Sequence, residues 1–139
     1  MRLGTLIDEN TLMGIGAENS KNMFSAASYF ANIQTDDAKA FANSYAAKFG
    51  SDAAILNALS TSCYDGLTAL DAIAERAGGL SVKEMDSVAE GTAFGSPRGD
   101  AVMKNRHLTL DIYLAEAIGT DFKIVKTFSK QEPGNFCKA

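Results

Sequence analysis

The stretch DAAILNALSTSCYDGLTALDAIAERA, residues 52–77, decides the fold that this sequence predicts. Its apolar side chains recur at spacings of three and four residues, which is the periodicity of a helix with one buried face. The recurring side chains are Ile55, Leu59, Cys63, Leu67, Leu70, Ile73 and Ala74. Ser51 or Asp52 is a candidate N-cap, and Gly78 and Gly79 favour the left-handed conformation that ends a helix. We therefore predict a central helix over residues 52–77 that buries this apolar stripe.

The opposite side of this predicted helix is polar and almost uncharged near its start. Asn57, Thr61 and Tyr64 lie on it, with Ser60 and Ser62 beside them. Hydroxyl groups near a helix N-terminus, where the helix dipole adds partial positive charge, suit a small polar ligand. An ordinary solvated helix face explains the same pattern, so both interpretations stand from this segment alone.

The chain before the central helix predicts a strand and a second helix. MFSAASYF at residues 23–30 is rich in aromatic and small residues and predicts a strand. Residues 36–49 predict a helix that begins with acidic residues and ends at Gly50. DENTLMGIG at residues 8–16 predicts one or two helical turns. Its two glycines do not predict a nucleotide-binding loop, because no convincing strand precedes them and the third glycine is absent.

After the central helix, the hydrophobic period changes from that of a helix to that of strands. Residues 82–90 predict a short helix, with Ser81 and Glu84 as a capping box and Leu80 against Met85 as a hydrophobic staple. Strands are predicted over residues 92–94, 101–104, 107–117 and 122–128. In the segment 107–114, Leu108, Leu110, Ile112 and Leu114 alternate with polar residues. The last two strands therefore predict an antiparallel hairpin that buries the leucine face.

Composition and charge limit the classes of partner. The chain has 139 residues, a one-domain length, and a formal net charge of -4. An acidic chain without basic clusters is not expected to bind nucleic acid. No apolar run is long enough to cross a membrane, so membrane insertion is not expected. The first residues, MRLGTLIDENTLMG, lack the apolar core of a secretory signal peptide, and the localisation is left open.

No catalytic or metal-binding pattern emerges from the titratable residues. Cys63 and Cys137 are far apart, and His107 is the only histidine, so no metal site and no cofactor are expected. Cys63 lies on the predicted buried stripe, which predicts a buried free thiol, and Cys137 lies in the tail. His107 is the first candidate for acid–base chemistry, but no nucleophile accompanies it. We therefore do not predict an enzyme.

Several segments, taken in order, resemble a known family. They are Gly14–Asn19 (GIGAEN), Ser28-Tyr29-Phe30, Lys48-Phe49-Gly50, the long helix with Tyr64, Ser96-Pro97-Arg98-Gly99, Asn105-Arg106-His107 and Phe122-Lys123-Ile124-Val125. This set resembles the C-terminal part of the amide- and urea-binding branch of the periplasmic binding proteins, a group that includes the branched-chain amino-acid binders. The resemblance covers nearly all of this chain and about the last third of a complete member.

The resemblance implies an α/β fold, a partial type I periplasmic-binding-protein fold with three helices on short strands and a C-terminal antiparallel hairpin. The chain is expected to form one domain, with crossovers between lobes near residues 31–35 and 91–99. It also implies ligand contacts from Thr61 and Tyr64 on the helix and from Tyr29 at the end of a strand. Thr61 stands where the amide and urea binders commonly carry a glutamate. Complete members dock a membrane transporter or a regulator.

The first functional hypothesis is binding of a small polar ligand, namely an amide, urea or an amino acid, as part of a transporter substrate-binding or amide-sensing protein. The alternative is a structural or interaction protein that keeps the fold elements without ligand binding. An enzyme ranks last. The uncharged strand at residues 23–30 is expected to lie at an open sheet edge, and an edge of that composition pairs with another chain. We therefore expect a homodimer.

Overall fold

A computed structural model describes residues 1–134 and places six strands and four helices in that part of the chain. The N-terminal half contains β1 (Arg2–Gly4), α1 (Glu9–Ile15), β2 (Met23–Ala27), α2 (Asp36–Phe49) and α3 (Ala58–Ala77). The C-terminal half contains α4 (Val82–Ala89), β3 (Ala93–Ser96), β4 (Gly99–Lys104), β5 (His107–Ile118) and β6 (Asp121–Gln131). The predicted α/β class and the C-terminal hairpin are confirmed, and α1 adds a fourth helix where one or two turns were expected. None of the described helices is long and apolar enough to cross a membrane.

The strands form one mixed sheet built around β5. The order is β1-β2-β5-β4-β3, and β6 pairs with β5 as well. Only β1 and β2 are parallel among the described strands, with Arg2 opposite Met23 and Gly4 opposite Ser25. β5 pairs antiparallel with β2, β4 and β6, so the longest strand joins every other part of the sheet.

The two ends of β5 are covered on different faces. Leu108 and Leu110 pack against a small cluster formed by Ala69, Phe94 and Ala101. Further along, the alternate residues Tyr113, Ala115 and Ala117 enter the main core, and Leu114 is only half-buried. Leu108, Leu110, Ile112 and Leu114 are all only partly buried, so the leucine face is not buried as predicted, and beyond residue 112 the opposite face enters the main core. At its first end β5 packs against α3 on one face, and at its second end it packs against the main core on the other face. The alternation of side chains along β5 therefore does not give a single buried face.

The main core lies around β2, the segment that follows it and β5. Its members are Leu12, Met23, Tyr29, Phe30, Ile33, Ala38, Leu56, Tyr113, Ala115, Ala117 and Phe122. The rings of Phe30 and Phe122 lie 4.8 Å apart between centroids. β2 is paired on both sides, by β1 and β5, and ends at Ala27. The prediction of an open edge at residues 23–30 is therefore wrong, because neighbouring strands of the same chain cover it.

The central helix α3 differs from its prediction in its start and in its buried side. It begins at Ala58, and residues 52–57 are not helical because Asn57, not Ser51 or Asp52, forms the N-cap. Its buried residues are Thr61, Asp65, Ala69 and Ile73. Leu59 and Leu67 are 69% and 72% exposed, and Cys63 is exposed rather than buried. The buried ion pair of Asp65 turns the Thr61–Ile73 stripe inward, so the more apolar leucine stripe faces out.

The short helix α4 follows its predicted bounds but not its predicted start signals. Ser81 occupies the N-cap position and makes no side-chain capping hydrogen bond. Leu80 is highly exposed and does not form a buried staple. No residue of α4 is buried. Because the helix lies on the surface, no packing holds its entry turn in the geometry that a capping box needs.

Candidate functional site

The carboxyl ends of the parallel strands β1 and β2 lie at the same edge of the sheet. In α/β sheets, ligands bind beyond the carboxyl ends of parallel strands, because the loops and helix N-termini converge there. The loop after β1 leads directly into α1, and the segment after β2 carries Ser28, Tyr29 and Phe30. This edge is therefore the candidate position of a ligand site.

Two helix N-termini are joined at this edge by a pair of capping side chains. Asp8 caps α1, with Oδ1 accepting from the Thr11 amide at 2.8 Å. Asn57 caps α3, with its side-chain oxygen accepting from the Ser60 amide at 2.9 Å. The Asn57 Nδ2 group donates to Asp8 Oδ2 at 2.7 Å. The caps therefore bridge α1 and α3 and hold both N-termini beside the carboxyl ends of the strands.

Glu9 is a buried carboxyl group between these caps. Its side chain is 5% exposed, and Oε1 accepts from the backbone amide of Ala31 at 2.6 Å. Oε2 has no hydrogen-bond partner among residues 1–134. Burial raises the pKa of Glu9, the hydrogen bond from Ala31 partly offsets this, and the charge of Asp8 adds a smaller rise. A buried carboxylate oxygen without a partner is an acceptor available to a donor group.

Tyr29 brings a second unpartnered polar group to the same place. It is 1% exposed, and its hydroxyl has no hydrogen-bond partner within the described chain. Burial raises the pKa of Tyr29, and the nearby charge of Glu9 adds to that effect. We call Asp8, Glu9, Tyr29 and Asn57 the junction cluster. It combines carboxylate acceptors, a phenol and two helix N-termini at one edge of the sheet.

A second buried polar group ties α3 to the sheet. Arg98 Nε donates to Asp65 Oδ2 at 2.7 Å, and Nη2 forms an ion pair with the same oxygen. Arg98 Nη1 donates to the Ser28 hydroxyl at 2.6 Å. Asp65 Oδ1 has no partner among the described residues. Because Ser28 precedes Tyr29, this ion pair also fixes the segment that carries Tyr29.

An aromatic groove lies on the other side of α3. Its volume is about 630 Å³, and α2, α3, the end of β3 and Pro97 line it. Phe41, Tyr45, Phe49 and Tyr64 contribute the aromatic rings, with Phe41 and Tyr64 4.8 Å apart between centroids. Such a surface suits the apolar part of an organic ligand.

The three residues predicted as ligand contacts occupy three different environments. Tyr29 lies in the junction cluster, and Tyr64 lines the aromatic groove. Thr61 is fully buried, and its hydroxyl donates to the backbone carbonyl of Asn57 at 2.9 Å. The polar side of the predicted helix therefore does not bring Thr61 and Tyr64 to one surface, because α3 buries Thr61 and turns Tyr64 toward α2.

Sequence reasoning missed Asp8 and Glu9 as site residues, and it placed Asn57 in the polar stretch of the central helix without recognising it as the N-cap. A signal for Asp8 was present, since an acidic residue at a helix start is a capping pattern. His107 is exposed, and its Nδ1 lies 2.8 Å from the carbonyl oxygen of Asn105. Within residues 1–134, no three His, Cys, Asp or Glu side chains are grouped to hold a metal ion. Cys137 lies outside the described residues.

Residues 1–121 match the family model described as periplasmic binding protein. This chain belongs to the periplasmic binding protein family. No curated protein sequence matches it.

Solved structures with the same fold include solute-binding proteins of ABC transporters. One from Rhodopseudomonas palustris HaA2, in complex with p-hydroxybenzoic acid, shares 24% identity with a TM-score of 0.77 over 94% of this chain and 37% of that chain. One from R. palustris in complex with benzoate shares 20% identity, with a TM-score of 0.74 over 90% of this chain and 35% of that chain. A leucine-binding protein from Thermotoga maritima shares 19% identity, with a TM-score of 0.70 over 84% and 33%. The chain thus spans about a third of the length of these proteins.

Proposed function

We propose that this chain is part of a solute-binding protein of an ABC transporter and that the junction cluster contacts a small polar ligand. The observation that carries the proposal is the pair of unpartnered buried groups, Glu9 Oε2 and the Tyr29 hydroxyl, at the carboxyl ends of β1 and β2. An unpartnered buried polar group costs about 1–3 kcal/mol. A ligand that supplies hydrogen-bond partners to both groups recovers much of that cost.

The chemistry of the cluster favours a ligand with N–H or O–H donors. Glu9 offers an acceptor, and Tyr29 offers a hydroxyl that both donates and accepts. Amides, urea and amino acids carry N–H donors, and the hydroxybenzoates bound by structural neighbours carry O–H donors. Thr61, where amide and urea binders commonly carry glutamate, provides no acidic acceptor, and in this proposal Glu9 supplies it instead. Tyr64 lines the aromatic groove, apart from the junction cluster, and is not part of this proposed contact.

Membership of the family supports a wider role as well. Complete members act with a membrane transporter, and we propose the same partner for the protein to which this chain contributes. The segments near residues 31–35 and 91–99 are the proposed crossovers between its lobes. The proposed role is binding and delivery of the ligand, without chemical conversion.

Thermal unfolding with a ligand panel tests the proposal. The purified chain is heated with acetamide, urea, leucine or 4-hydroxybenzoate at increasing concentration. A ligand at one hundred times its Kd stabilises the folded state by about 2.7 kcal/mol. We expect at least one member of the panel to raise the Tm, and Glu9→Gln and Tyr29→Phe to reduce the rise. The matched control is Glu18→Gln, since Glu18 is an exposed glutamate.

Two outcomes contradict the proposal. One is a Tm that no member of the panel raises. The other is a rise that persists unchanged in both Glu9→Gln and Tyr29→Phe. The first outcome favours the second candidate, a structural or interaction protein, which the exposed leucines of α3 support independently.

A further inference from the structure

Tyr29 lies in a segment, residues 28–31, that belongs to no strand or helix. The strand pairing of β2 stops at Ala27, which lies opposite Tyr113 of β5. The next helix, α2, begins only at Asp36. Because the sheet does not fix the backbone beyond Ala27, the position of the Tyr29 side chain depends on other contacts that hold this segment in place.

Two side chains from other elements anchor this segment at its two ends. At the first end, Arg98 Nη1 donates to the Ser28 hydroxyl at 2.6 Å. At the second end, the backbone amide of Ala31 donates to Glu9 Oε1 at 2.6 Å. Tyr29 lies between the anchors, and its own hydroxyl has no hydrogen-bond partner within the described chain. The hydroxyl is therefore placed by the two anchors and by the packing of its ring in the main core, not by a hydrogen bond of its own.

The anchor at Ser28 is rigid because the guanidinium group of Arg98 is itself fixed. Its Nε and Nη2 both contact Asp65 Oδ2, and two contacts from a planar group set the direction of the third nitrogen, Nη1. Arg98 is 7% exposed and Asp65 is 1% exposed, so little water competes for these hydrogen bonds. The backbone amide of Arg98 donates in turn to the Ser96 hydroxyl at 3.0 Å. Asp65 therefore determines, through Arg98, where Ser28 lies.

We propose that Ser28 and Arg98 are positioning residues for ligand binding, because their hydrogen bond holds the Tyr29 hydroxyl beside Glu9, where one ligand contacts both groups. This inference rests on the proposed function, in which Tyr29 and Glu9 are the ligand contacts. Ser28 and Arg98 act through Tyr29 and are not themselves ligand contacts. A contact residue that is held in its binding geometry before the ligand arrives loses less conformational freedom on binding, which raises the affinity.

Substitution of Ser28 tests the positioning role without removing a charge. Ser28→Ala removes the acceptor for Arg98 Nη1 and leaves the ion pair with Asp65 in place, whereas Ser28→Thr keeps a hydroxyl. The probe is acetamide, urea, leucine or 4-hydroxybenzoate, whichever raises the Tm of the parent chain. In calorimetric titrations, Ser28→Ala is expected to weaken its Kd about three- to tenfold, the effect of losing one hydrogen bond, and Ser28→Thr to bind like the parent. The matched control is Ser20→Ala, which removes another buried hydroxyl, one that donates to the carbonyl of Gly119 at 2.8 Å.

A measurement without ligand separates positioning from a general loss of stability. In a chain labelled with carbon-13 at the ζ carbon of tyrosine, Tyr29→Phe identifies the Tyr29 resonance among those of the four tyrosines. This resonance is expected to shift as Glu9 ionises between pH 4 and pH 8, because the charge of Glu9 acts on Tyr29. Glu9→Gln is expected to remove the shift, and Ser28→Ala to reduce it as the hydroxyl moves away from Glu9. Ser28→Thr and Ser20→Ala are expected to retain it.

The outcomes separate this inference from the proposed function. If a probe binds the parent chain and Ser28→Ala changes neither its Kd nor the Tyr29 shift, the positioning role is overturned and the proposed function stands. A weaker Kd with an unchanged Tyr29 shift also overturns it, since Ser28 then acts without Tyr29. So does an equal loss of affinity in Ser20→Ala, which assigns the effect to stability. If no probe raises the Tm, the proposed function fails and the positioning role in binding fails with it.

Discussion

Asp65 and Arg98 form a buried ion pair between α3 and the turn before β4. Removing one partner leaves an uncompensated buried charge, which typically costs about 3–5 kcal/mol. We therefore expect Asp65→Ala to lower the free energy of unfolding by that amount in urea titrations. The matched control is Asp86→Ala, because Asp86 pairs with Arg106 at 3.1 Å on the exposed surface. Pairs of that kind contribute about 0–1 kcal/mol.

A double variant tests the cause of this loss of stability. If the loss arises from the stranded guanidinium of Arg98, then replacing both partners by apolar residues, Asp65→Leu with Arg98→Met, removes the unpaired charge. This double variant is expected to lose less stability than Asp65→Ala alone. Equal losses in Asp65→Ala and Asp86→Ala contradict the prediction.

The raised pKa of Glu9 makes the free energy of unfolding decrease as the pH rises. Its pKa in the folded protein is raised above the ordinary 4.5, chiefly by burial. The stability linked to its protonated form is fully present below pH 4.5 and is lost as the pH rises through the folded pKa. The variant Glu9→Gln keeps the acceptor for Ala31 and does not ionise.

We expect Glu9→Gln to be more stable than the parent chain at pH 7, with the difference vanishing by about pH 4. Urea unfolding at pH 4, 5.5 and 7 measures it. Glu18→Gln, at an exposed position, is the control and is expected to follow the parent at each pH. If the parent chain instead gains stability relative to Glu9→Gln as the pH rises, the pKa of Glu9 is not raised by folding and the prediction is wrong.

At the scale of elements, the N-caps of α3 and α4 make a matched comparison. Asn57 and Ser60 form a complete capping box at α3, whereas Ser81 makes no capping hydrogen bond at α4. Loss of a cap costs about 0.5–2 kcal/mol. We expect Asn57→Ala to lose stability toward the upper end of that range, because Asn57 also donates to Asp8. Ser81→Ala is expected to change little in the same urea titration, and a loss equal to that of Asn57→Ala contradicts this account.

Local sequence signals predicted a helix correctly where the helix has one apolar face and a clear capping residue. The helix at residues 36–49 is confirmed at both ends, because Thr35 caps it and Gly50 ends it. α3 was harder, because two stripes of the same helix compete for burial. Periodicity favours the leucine stripe, but the pairing of Asp65 with Arg98, 33 positions away, selects the other. No local pattern contains that contact.

The candidate site was predictable only in part for the same reason. Tyr29 emerged from the resemblance to a family, and the structure places it beside Glu9. The neighbourhood itself depends on the parallel pairing of β1 with β2. It depends also on the bridge between the caps of α1 and α3, which joins Asp8 to Asn57 across the sequence. Both are contacts between residues far apart in the sequence, and local sequence patterns do not predict such contacts.

At the scale of the whole molecule, the sheet order predicts which segments open first. β5 pairs with three strands, whereas α4 buries no residue and β1 and β3 end the main strand order. Local opening is easiest where few groups are buried. In hydrogen exchange read by mass spectrometry, we expect the amides of β5 and β2 to exchange slowest and those of α4 fastest among the helices. Slower exchange in α4 than in α3 contradicts this order.

Because the two ends of β5 are buried on opposite faces, the gene is expected to tolerate the loss of a codon differently at different positions. Removal of one codon near position 111 leaves Leu108 and Leu110 in place and reverses the parity of everything after them. Leu114, Glu116 and Ile118 then enter the space now held by Tyr113, Ala115 and Ala117, and a carboxylate meets the main core. A missing codon in the turn at Gly119 and Thr120 falls between strands and alters no parity within β5. Codon loss in related genes is therefore expected to accumulate in that turn and to be rare within the strand.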